Sequence, residues 1–499
     1  MADAMRPGVG THFLRYSLGG VLVMLAGFVS FPVMARLLDY TQYGMLGIFD
    51  SALLLLAALF KMGGQQAILR LYPHRGGAGV MASYGTNQIL IPFLGSCVLW
   101  SLAMLALAFL APFRRFAGDA TAWMALASLL PTIWISMLTA LMAARERSGL
   151  NVLVNISSRW LSVGAVLGIV CFLSRTALGV YTGRLIVELL MAMVLTLWLL
   201  RQHVPMHWVN RDWRRVYAGM RYGVPLMANE ITAILLVSVD RLMLEGLTGS
   251  MAAVGVYNVG ASLALQFSVM LHAALNLSYT QVSIRQFETE GAAAVLRTKR
   301  RILHGLVYVV AAVVAALLMV GKDGFLLLSG PSKSESVPIF VVLSLMFVVG
   351  GLFELCTSGL QLYKRSMTVF VLTLLAAVAN VVLNLILIPV FGVMGAVYAT
   401  LGSSVVLGIG QAMACPRDLL ALPAARATIT AVALGTAVLF AAWSTHLFGT
   451  TTHVARLAVM GSLLSVLFVG PVLVLDRGLR EMLSGQWQRL QGPWFGRSQ

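Results

Sequence analysis

The sequence predicts an all-α membrane protein of about fourteen transmembrane helices. Three observations carry that expectation: a shortage of charge, apolar runs of bilayer length, and a one-sided distribution of lysine and arginine. Of 499 residues, 59% are hydrophobic and 11% charged, against roughly 25% charged in soluble chains. The shortage runs through the whole length, so no soluble domain is expected at either end. Apolar stretches recur from Tyr16 to Leu475, each about the 20 residues a helix needs to cross a ~30 Å hydrocarbon core. None alternates polar and apolar, as barrel strands do over about 10 positions.

In chain order the spans are expected at 16–37, 44–63, 84–111, 121–143, 152–173, 178–200, 222–247, 254–283, 302–330, 336–363, 368–390, 393–413, 427–448 and 454–475. The first follows a short basic start (Arg6, Arg15). It is about twice as long as a signal-peptide core and no cleavage site follows it, so it reads as a retained helix. Pro32, Pro92, Pro131 and Pro225 lie inside spans and predict kinks, because proline removes an intrahelical donor. Cys97, Cys171, Cys356 and Cys415 have no metal-ligand spacing and read as small apolar fillers, with neither a disulfide framework nor a metal site.

The net charge of +17 suggests nucleic acid until the charges are placed along the spans. With a cytoplasmic N-terminus, 25 of the 35 Lys and Arg fall on the cytoplasmic side and 8 on the other, with Arg159 and Arg184 inside spans. That asymmetry is the positive-inside rule. The basicity therefore predicts topology and contact with anionic lipid headgroups, not nucleic-acid binding, and places both termini in the cytoplasm.

A weak duplication is visible. Arg15-Tyr16 at the first span is matched by Arg221-Tyr222 at the seventh, and Ala35-Arg36-Leu37 by Asp240-Arg241-Leu242. Arg147-Ser148 is matched by Arg365-Ser366, and Leu178-Gly-Val-Tyr181 by Met394-Gly-Ala-Val-Tyr398. Because six is an even number, both halves would start on the same side, related by a pseudo-two-fold axis along the membrane normal. This predicts an N-lobe over 1–200, a basic linker over 201–221, a C-lobe over 222–415, an extra hairpin over 427–475 and a cytoplasmic tail over 476–499. The linker is expected to lie as an interfacial helix with Trp208 and Trp213 at headgroup level.

Several segments resemble a known family. Pro32-Val-Met-Ala-Arg-Leu-Leu38 followed by Gln42-Tyr-Gly44, and Gly63-Gly-Gln-Gln-Ala-Ile-Leu-Arg70, look like the opening of Wzx-like polysaccharide flippases. These belong to the multidrug/oligosaccharidyl-lipid/polysaccharide (MOP) exporter superfamily. Tyr222-Gly-Val-Pro-Leu226, Val239-Asp-Arg-Leu-Met-Leu244, Val254-Gly-Val-Tyr257 and the stretch Leu387–Thr400 are similar to later parts of the same family. The resemblance covers roughly residues 10–415 and is more specific for the superfamily than for a substrate. It implies two six-helix lobes around a cavity lined mainly by spans 1, 2, 7 and 8, working by alternating access. The implied cargo is an undecaprenyl-diphosphate-linked oligosaccharide, carried from the cytoplasmic to the periplasmic leaflet of a bacterial inner membrane for surface polysaccharide assembly. A polysaccharide polymerase and glycosyltransferases are the implied partners.

Ionisable groups at membrane depth supply the candidate residues. An ionised side chain near the centre of a lipid-facing helix costs at least ~2.5–3.5 kcal/mol, so such groups should face a wet cavity or each other. Arg184 and Glu188 are one turn apart on one face. They read either as a structural salt bridge or as a cationic contact for a diphosphate or acidic sugar beside a coupling carboxylate. Arg159 reads as a substrate contact or as a snorkelling side chain. Glu230, two turns in from the cytoplasm after Pro225, is a candidate ion-coupling site or the partner of a structural arginine. Asp50 and Glu354 are weaker coupling candidates. His272 and Asn276 share a face of the eighth span and read as cavity-lining or as packing. Arg36, Asp240 and Arg241 at corresponding span ends read as a gate or helix-end ion pair.

No Gly-x-x-x-x-Gly-Lys-Ser/Thr phosphate-binding loop occurs, so an ion gradient, the membrane potential or downhill consumption of product is the expected energy source. Short loops leave no room for the external catalytic loop of a glycan polymerase, so neither catalytic residues nor a cofactor is expected. Two other transporters remain as alternatives: a MATE-type cation-coupled small-molecule antiporter and a peptidoglycan-precursor flippase.

Overall fold

The computed structural model describes residues 9–73, 77–110, 118–201, 204, 206–446 and 453–476; the side chains of 9–18, 78, 148, 270–278, 280, 281, 445 and 446 fall outside the described set. Among the described residues the chain is helical without strands, and fourteen helices are long and apolar enough to cross a membrane, as the hydropathy predicts. In order they are α1 Val9–Leu37, α2 Tyr40–Lys61, α3 Gly64–Arg70, α4 Ala78–Tyr84, α5 Ile91–Phe109, α6 Ala120–Ala144, α7 Ser148–Phe172, α8 Ala177–Arg201, α9 Trp213–Thr248, α10 Met251–Glu290, α11 Ala292–Ser329, α12 Val337–Thr357, α13 Ser366–Phe391, α14 Val393–Ala414, α15 Ala425–His446, α16 His453–Leu464 and α17 Gly470–Leu475.

Local sequence sets the helix boundaries. Asp39, Asp119 and Asp212 cap α2, α6 and α9 by accepting from backbone N–H groups two or three residues on, which satisfies donors that a helix start leaves open. Left-handed backbone at Met62 (φ 47°) and Gly63 (φ 70°) ends α2 and turns the chain into α3. Pro32, Pro131 and Pro225 lie inside α1, α6 and α9 as expected. Pro92 instead opens α5, directly after a π-helical turn over Gly85–Leu90. The third span is thus interrupted by the bulge and restarted by the proline.

That bulge organises the linker. Thr86 Oγ1 donates to the His207 carbonyl at 3.2 Å, Asn87 Nδ2 to Asn210 O at 3.0 Å, and Gln88 Nε2 to Arg215 O at 2.8 Å. Asn87 Oδ1 accepts in return from Asp212 N at 2.8 Å. Three consecutive buried polar side chains hold an extended linker, so the expected interfacial helix over 201–221 is not what forms. Trp208–Asn210 is one 3₁₀ turn, and Trp213 already begins α9. The basic connection after the eighth span is likewise almost entirely helical. α10 runs 40 residues to Glu290, Gly291 (φ 80°) makes the turn, and α11 follows at once.

The chain divides into two units, Met1–Val259 with Ala377–Ala399, and Gly260–Ala376 with Thr400–Gln499. In the first, Ile133, Met137, Leu138, Leu141 and Met142 of α6 are fully buried among α2, α3, α5 and α8. Lipid is as apolar as these side chains, so such packing stabilises through contact density rather than removal from water. In the second unit, α11 is the central post. Val307 and Tyr308 pack with Ala427, Ala431 and Val438 of α15, and with Phe468 and Val472.

The terminal helices are also tied to α11 by carboxylate contacts at both ends. Asp323, 3% exposed, faces His453 Nδ1 at 2.6 Å and Arg456 Nη1 at 3.1 Å. Asp476 accepts from Tyr308 OH at 2.8 Å and lies 2.8 Å from His304 Nε2.

Candidate functional site

α2 is the helix on which the charged groups of the first unit converge. At mid-helix, Asp50 pairs with Arg184 of α8 at 2.5 Å and accepts from the Tyr181 hydroxyl at 2.8 Å. The Arg184 guanidinium also lies 5.3 Å from the Tyr181 ring centroid. Arg184 therefore pairs across helices rather than with Glu188 one turn along, which corrects the same-helix salt bridge. Glu188 feels the charges of Arg184 and Asp50, and its Oε2 is buried without a hydrogen-bond partner. Arg159 of α7 is exposed, lies within electrostatic reach of both Arg184 and Asp50, and among the described residues has no hydrogen bond or ion pair of its own. Four candidates from three spans thus form one group at membrane depth, two arginines and two carboxylates, of which Arg184 and Asp50 are paired.

A second group sits about 16 Å further along α2, at 1.5 Å per residue. Lys61 Nζ contacts Glu230 Oε1 of α9 at 2.9 Å, and the amides of Gln65 and Gln66 reach Glu230 Oε2 at 3.5 and 3.4 Å. Ser136 Oγ of α6 fixes Gln65 by donating to its Oε1 at 2.7 Å. The close approach depends on glycine: a Cβ on Gly63 would lie 2.2 Å from the Gly223 carbonyl oxygen, and one on Gly223 2.7 Å from the Gly63 oxygen. Glu230 has a structural cation as partner, but it is Lys61 and not an arginine. Lys61 went unselected in the sequence because a lysine at a span end reads as a headgroup contact.

Asp240 of α9 is fully buried and accepts from Tyr257 OH and Asn384 Nδ2, both at 2.7 Å. Arg241 turns to different partners, Asn258 Oδ1 at 2.8 Å and the Val237 carbonyl at 3.0 Å. Asn258 in turn donates to Tyr43 O of α2. Arg36 is exposed at the end of α1, with interactions of its own. Glu354 belongs to the second unit and lines a cavity there. The side chains of His272 and Asn276 lie outside the described residues. Among the described residues, no group of three or more His, Cys, Asp or Glu is placed to hold a metal ion.

A family model described as "Polysaccharide biosynthesis protein" matches residues 9–284. Among solved structures, lipid II flippase MurJ in an inward closed conformation superposes with TM-score 0.72 at 12% identity, covering 93% of this chain and 99% of that one. An inward-facing multidrug resistance MATE family transporter of the MOP superfamily gives 0.56 at 16% identity, covering 87% and 99%. An outward-facing MATE transporter gives 0.53 at 14%, covering 87% and 96%. At such identities the likeness is one of fold. No curated protein matches the sequence.

Proposed function

Because the chain belongs to the polysaccharide biosynthesis protein family, we propose that it is a MOP-type flippase for an undecaprenyl-diphosphate-linked oligosaccharide. It moves this cargo from the cytoplasmic to the periplasmic leaflet of a bacterial inner membrane, by alternating access coupled to an ion gradient. Surface polysaccharide assembly is the process served, with a polymerase and glycosyltransferases as partners.

The observation that carries this reading is Arg159. An exposed guanidinium without a counter-ion at membrane depth costs several kcal/mol unless something anionic shares its environment. Arg184 beside it is already paired with Asp50, so Arg159 is the guanidinium of this group that has no hydrogen bond or ion pair of its own among the described residues. A diphosphate suits the Arg159 guanidinium, since guanidinium groups bind phosphate oxygens with charge-assisted, bidentate hydrogen bonds. An organic cation does not, which places the small-molecule antiporter second. Glu230, held by Lys61, is the candidate for coupling: releasing the pair exposes a carboxylate that an ion can follow.

The test is leaflet exchange of a fluorescent, diphosphate-linked oligosaccharide in proteoliposomes. Wild-type protein should move it. Arg159→Gln should slow exchange at least tenfold without lowering the amount reconstituted, and a diphosphate-free glycolipid should move slowly in both. Exchange unaffected by Arg159→Gln removes the supporting observation. Failure to move the lipid-linked glycan, together with gradient-driven uptake of organic cations, replaces the reading with the antiporter.

A further inference from the structure

The first turns of α9 sort their side chains into stripes, as 3.6 residues per turn dictate. Val216, Gly219 and Gly223 are buried. The absence of a side chain at Gly219 is used by the π-helical turn, since a Cβ there would lie 2.3 Å from Gln88 Oε1. Trp213, Tyr217, Met220 and Val224, at i, i+4, i+7 and i+11, are exposed and share one apolar stripe. Arg214 and Arg221, two turns apart, are exposed on a second stripe beside it, diametrically opposite the buried one.

The linker that precedes α9 is exposed in the same way. Trp208 and Arg211 stand out from the 3₁₀ turn with the guanidinium 5.6 Å from the ring centroid, and Val209 between them is 90% exposed. Among the described residues Arg211, Arg214 and Arg221 have no ion pair or side-chain hydrogen bond. Arg215 is engaged, with Asp212 at 3.4 Å and Ser83 Oγ at 2.8 Å.

We propose that the segment from Trp208 to Val224 is a docking site for anionic phospholipid headgroups, with Arg211, Arg214 and Arg221 on the phosphates and the aromatic rings among the glycerol and upper acyl groups. Tryptophan and tyrosine favour that level of a bilayer because one end of the ring system is apolar and the other polar. Each arginine near an anionic surface strengthens attraction about fivefold. A zwitterionic headgroup brings its own cation and offers the three guanidinium groups no net charge. A polyanion without acyl chains would leave the stripe from Trp213 to Val224 in water.

The seat is built in advance. The hydrogen bonds of Thr86, Asn87 and Gln88 to the backbone of His207, Asn210, Asp212 and Arg215 hold the linker in place without lipid, so little entropy is lost when lipid arrives. The other basic stretch is differently made. Lys299, expected from the sequence as a surface charge, is fully buried. Its Nζ donates to the carbonyls of Ser358 and Leu419 at 2.5 Å and of Cys356 at 3.3 Å. Arg297, Arg300 and Arg301 around it are exposed, but no tryptophan stands among them.

The site does not depend on which cargo is carried, so no glycan enters the assay. Full-length protein is placed in phosphatidylcholine nanodiscs, and tryptophan fluorescence is quenched with lipid brominated high in its acyl chains. The part of the signal contributed by Trp208 and Trp213 is the difference between wild type and W208F/W213F. At equal mole fraction, brominated phosphatidylglycerol should quench that part at least threefold more strongly than brominated phosphatidylcholine. R211Q/R214Q/R221Q should remove the excess and keep the phosphatidylcholine quenching. R297Q/R300Q/R301Q, with the same loss of charge, should keep both. Glycerol 3-phosphate, a headgroup without chains, should not abolish the excess. Asn87→Ala, in protein with wild-type elution and helicity, should at least halve it. No excess in the wild type, an excess that survives R211Q/R214Q/R221Q, an equal loss in R297Q/R300Q/R301Q, or abolition by glycerol 3-phosphate overturns the site. An excess unchanged by Asn87→Ala overturns the preformed seat.

Discussion

Replacing Lys61 by methionine leaves the Glu230 carboxylate with two amide donors at 3.4 and 3.5 Å, neither a substitute for an ammonium at 2.9 Å. Removing one partner of a buried pair typically costs ~3–5 kcal/mol, because the other charge stays behind. Here the side chains are 12% and 26% exposed, so the expected loss is discounted to about 2–3 kcal/mol. Glu230→Gln offers Lys61 a neutral amide oxygen in place of the carboxylate, beside Gln65 Oε1 at 3.4 Å, and should cost about 2 kcal/mol. The double variant removes both charges and should lose much less than the sum, giving a coupling energy of about 1.5–2.5 kcal/mol. Equilibrium unfolding of the four proteins in mixed micelles measures that energy. Glycan exchange on the same preparations asks whether the pair also matters for turnover, and Glu230→Gln should abolish exchange at normal membrane abundance. Single losses that add within about 0.5 kcal/mol would refute the pairing argument, and normal exchange by Glu230→Gln would remove this carboxylate from coupling.

Two further outcomes follow from the same helix. Gly63→Ala must adopt left-handed backbone and bring a methyl within 2.2 Å of the Gly223 oxygen, so about 2–4 kcal/mol of stability should be lost. Gly223→Ala, with ordinary helical backbone, should lose less, and unfolding curves that rank the two in reverse contradict the seam. Arg184→Ala leaves the Tyr181 hydroxyl to hold Asp50 without a cation and should impair glycan export at normal abundance. Glu188→Ala should be tolerated in the same export assay; equal loss of protein level from both would point to a purely structural role.

The spans were legible because hydropathy over bilayer length is a local property. Long-range pairing was not. Arg184 was matched to Glu188 because i, i+4 neighbours are visible in a sequence, whereas Asp50 lies 134 positions away. The polar triplet Thr86-Asn87-Gln88 stands at the start of an apolar run, and its purpose emerges only with the linker backbone it holds. Lys299 sits in a basic stretch beside Arg297, Arg300 and Arg301, so nothing local separates it from solvated neighbours. Its carbonyl partners come from two distant turns. The connection after the eighth span is helical despite its charge, because charge argues against membrane burial, not against a helix continuing into water. Glu230 reads either as a coupling site or as the partner of a structural arginine, and the lysine that pairs with it lies 169 positions away, beyond what a sequence window shows.

The two carboxylate anchors between α11 and the terminal helices, Asp323 and Asp476, bear on how the last two spans could ever be dispensed with. His304 and Asp323 are 19 residues apart, a rise of ~28 Å, so the two anchors are spaced like the faces of a bilayer. Ending the chain after Ala414 would do more than expose an apolar stripe to lipid, which lipid tolerates. It would strand Asp323, nearly inaccessible, without His453 and Arg456, and deprive Tyr308 of its acceptor. A twelve-span form of this sequence would have to mutate α11 first, and in the present chain the terminal hairpin is obliged to travel wherever that helix goes.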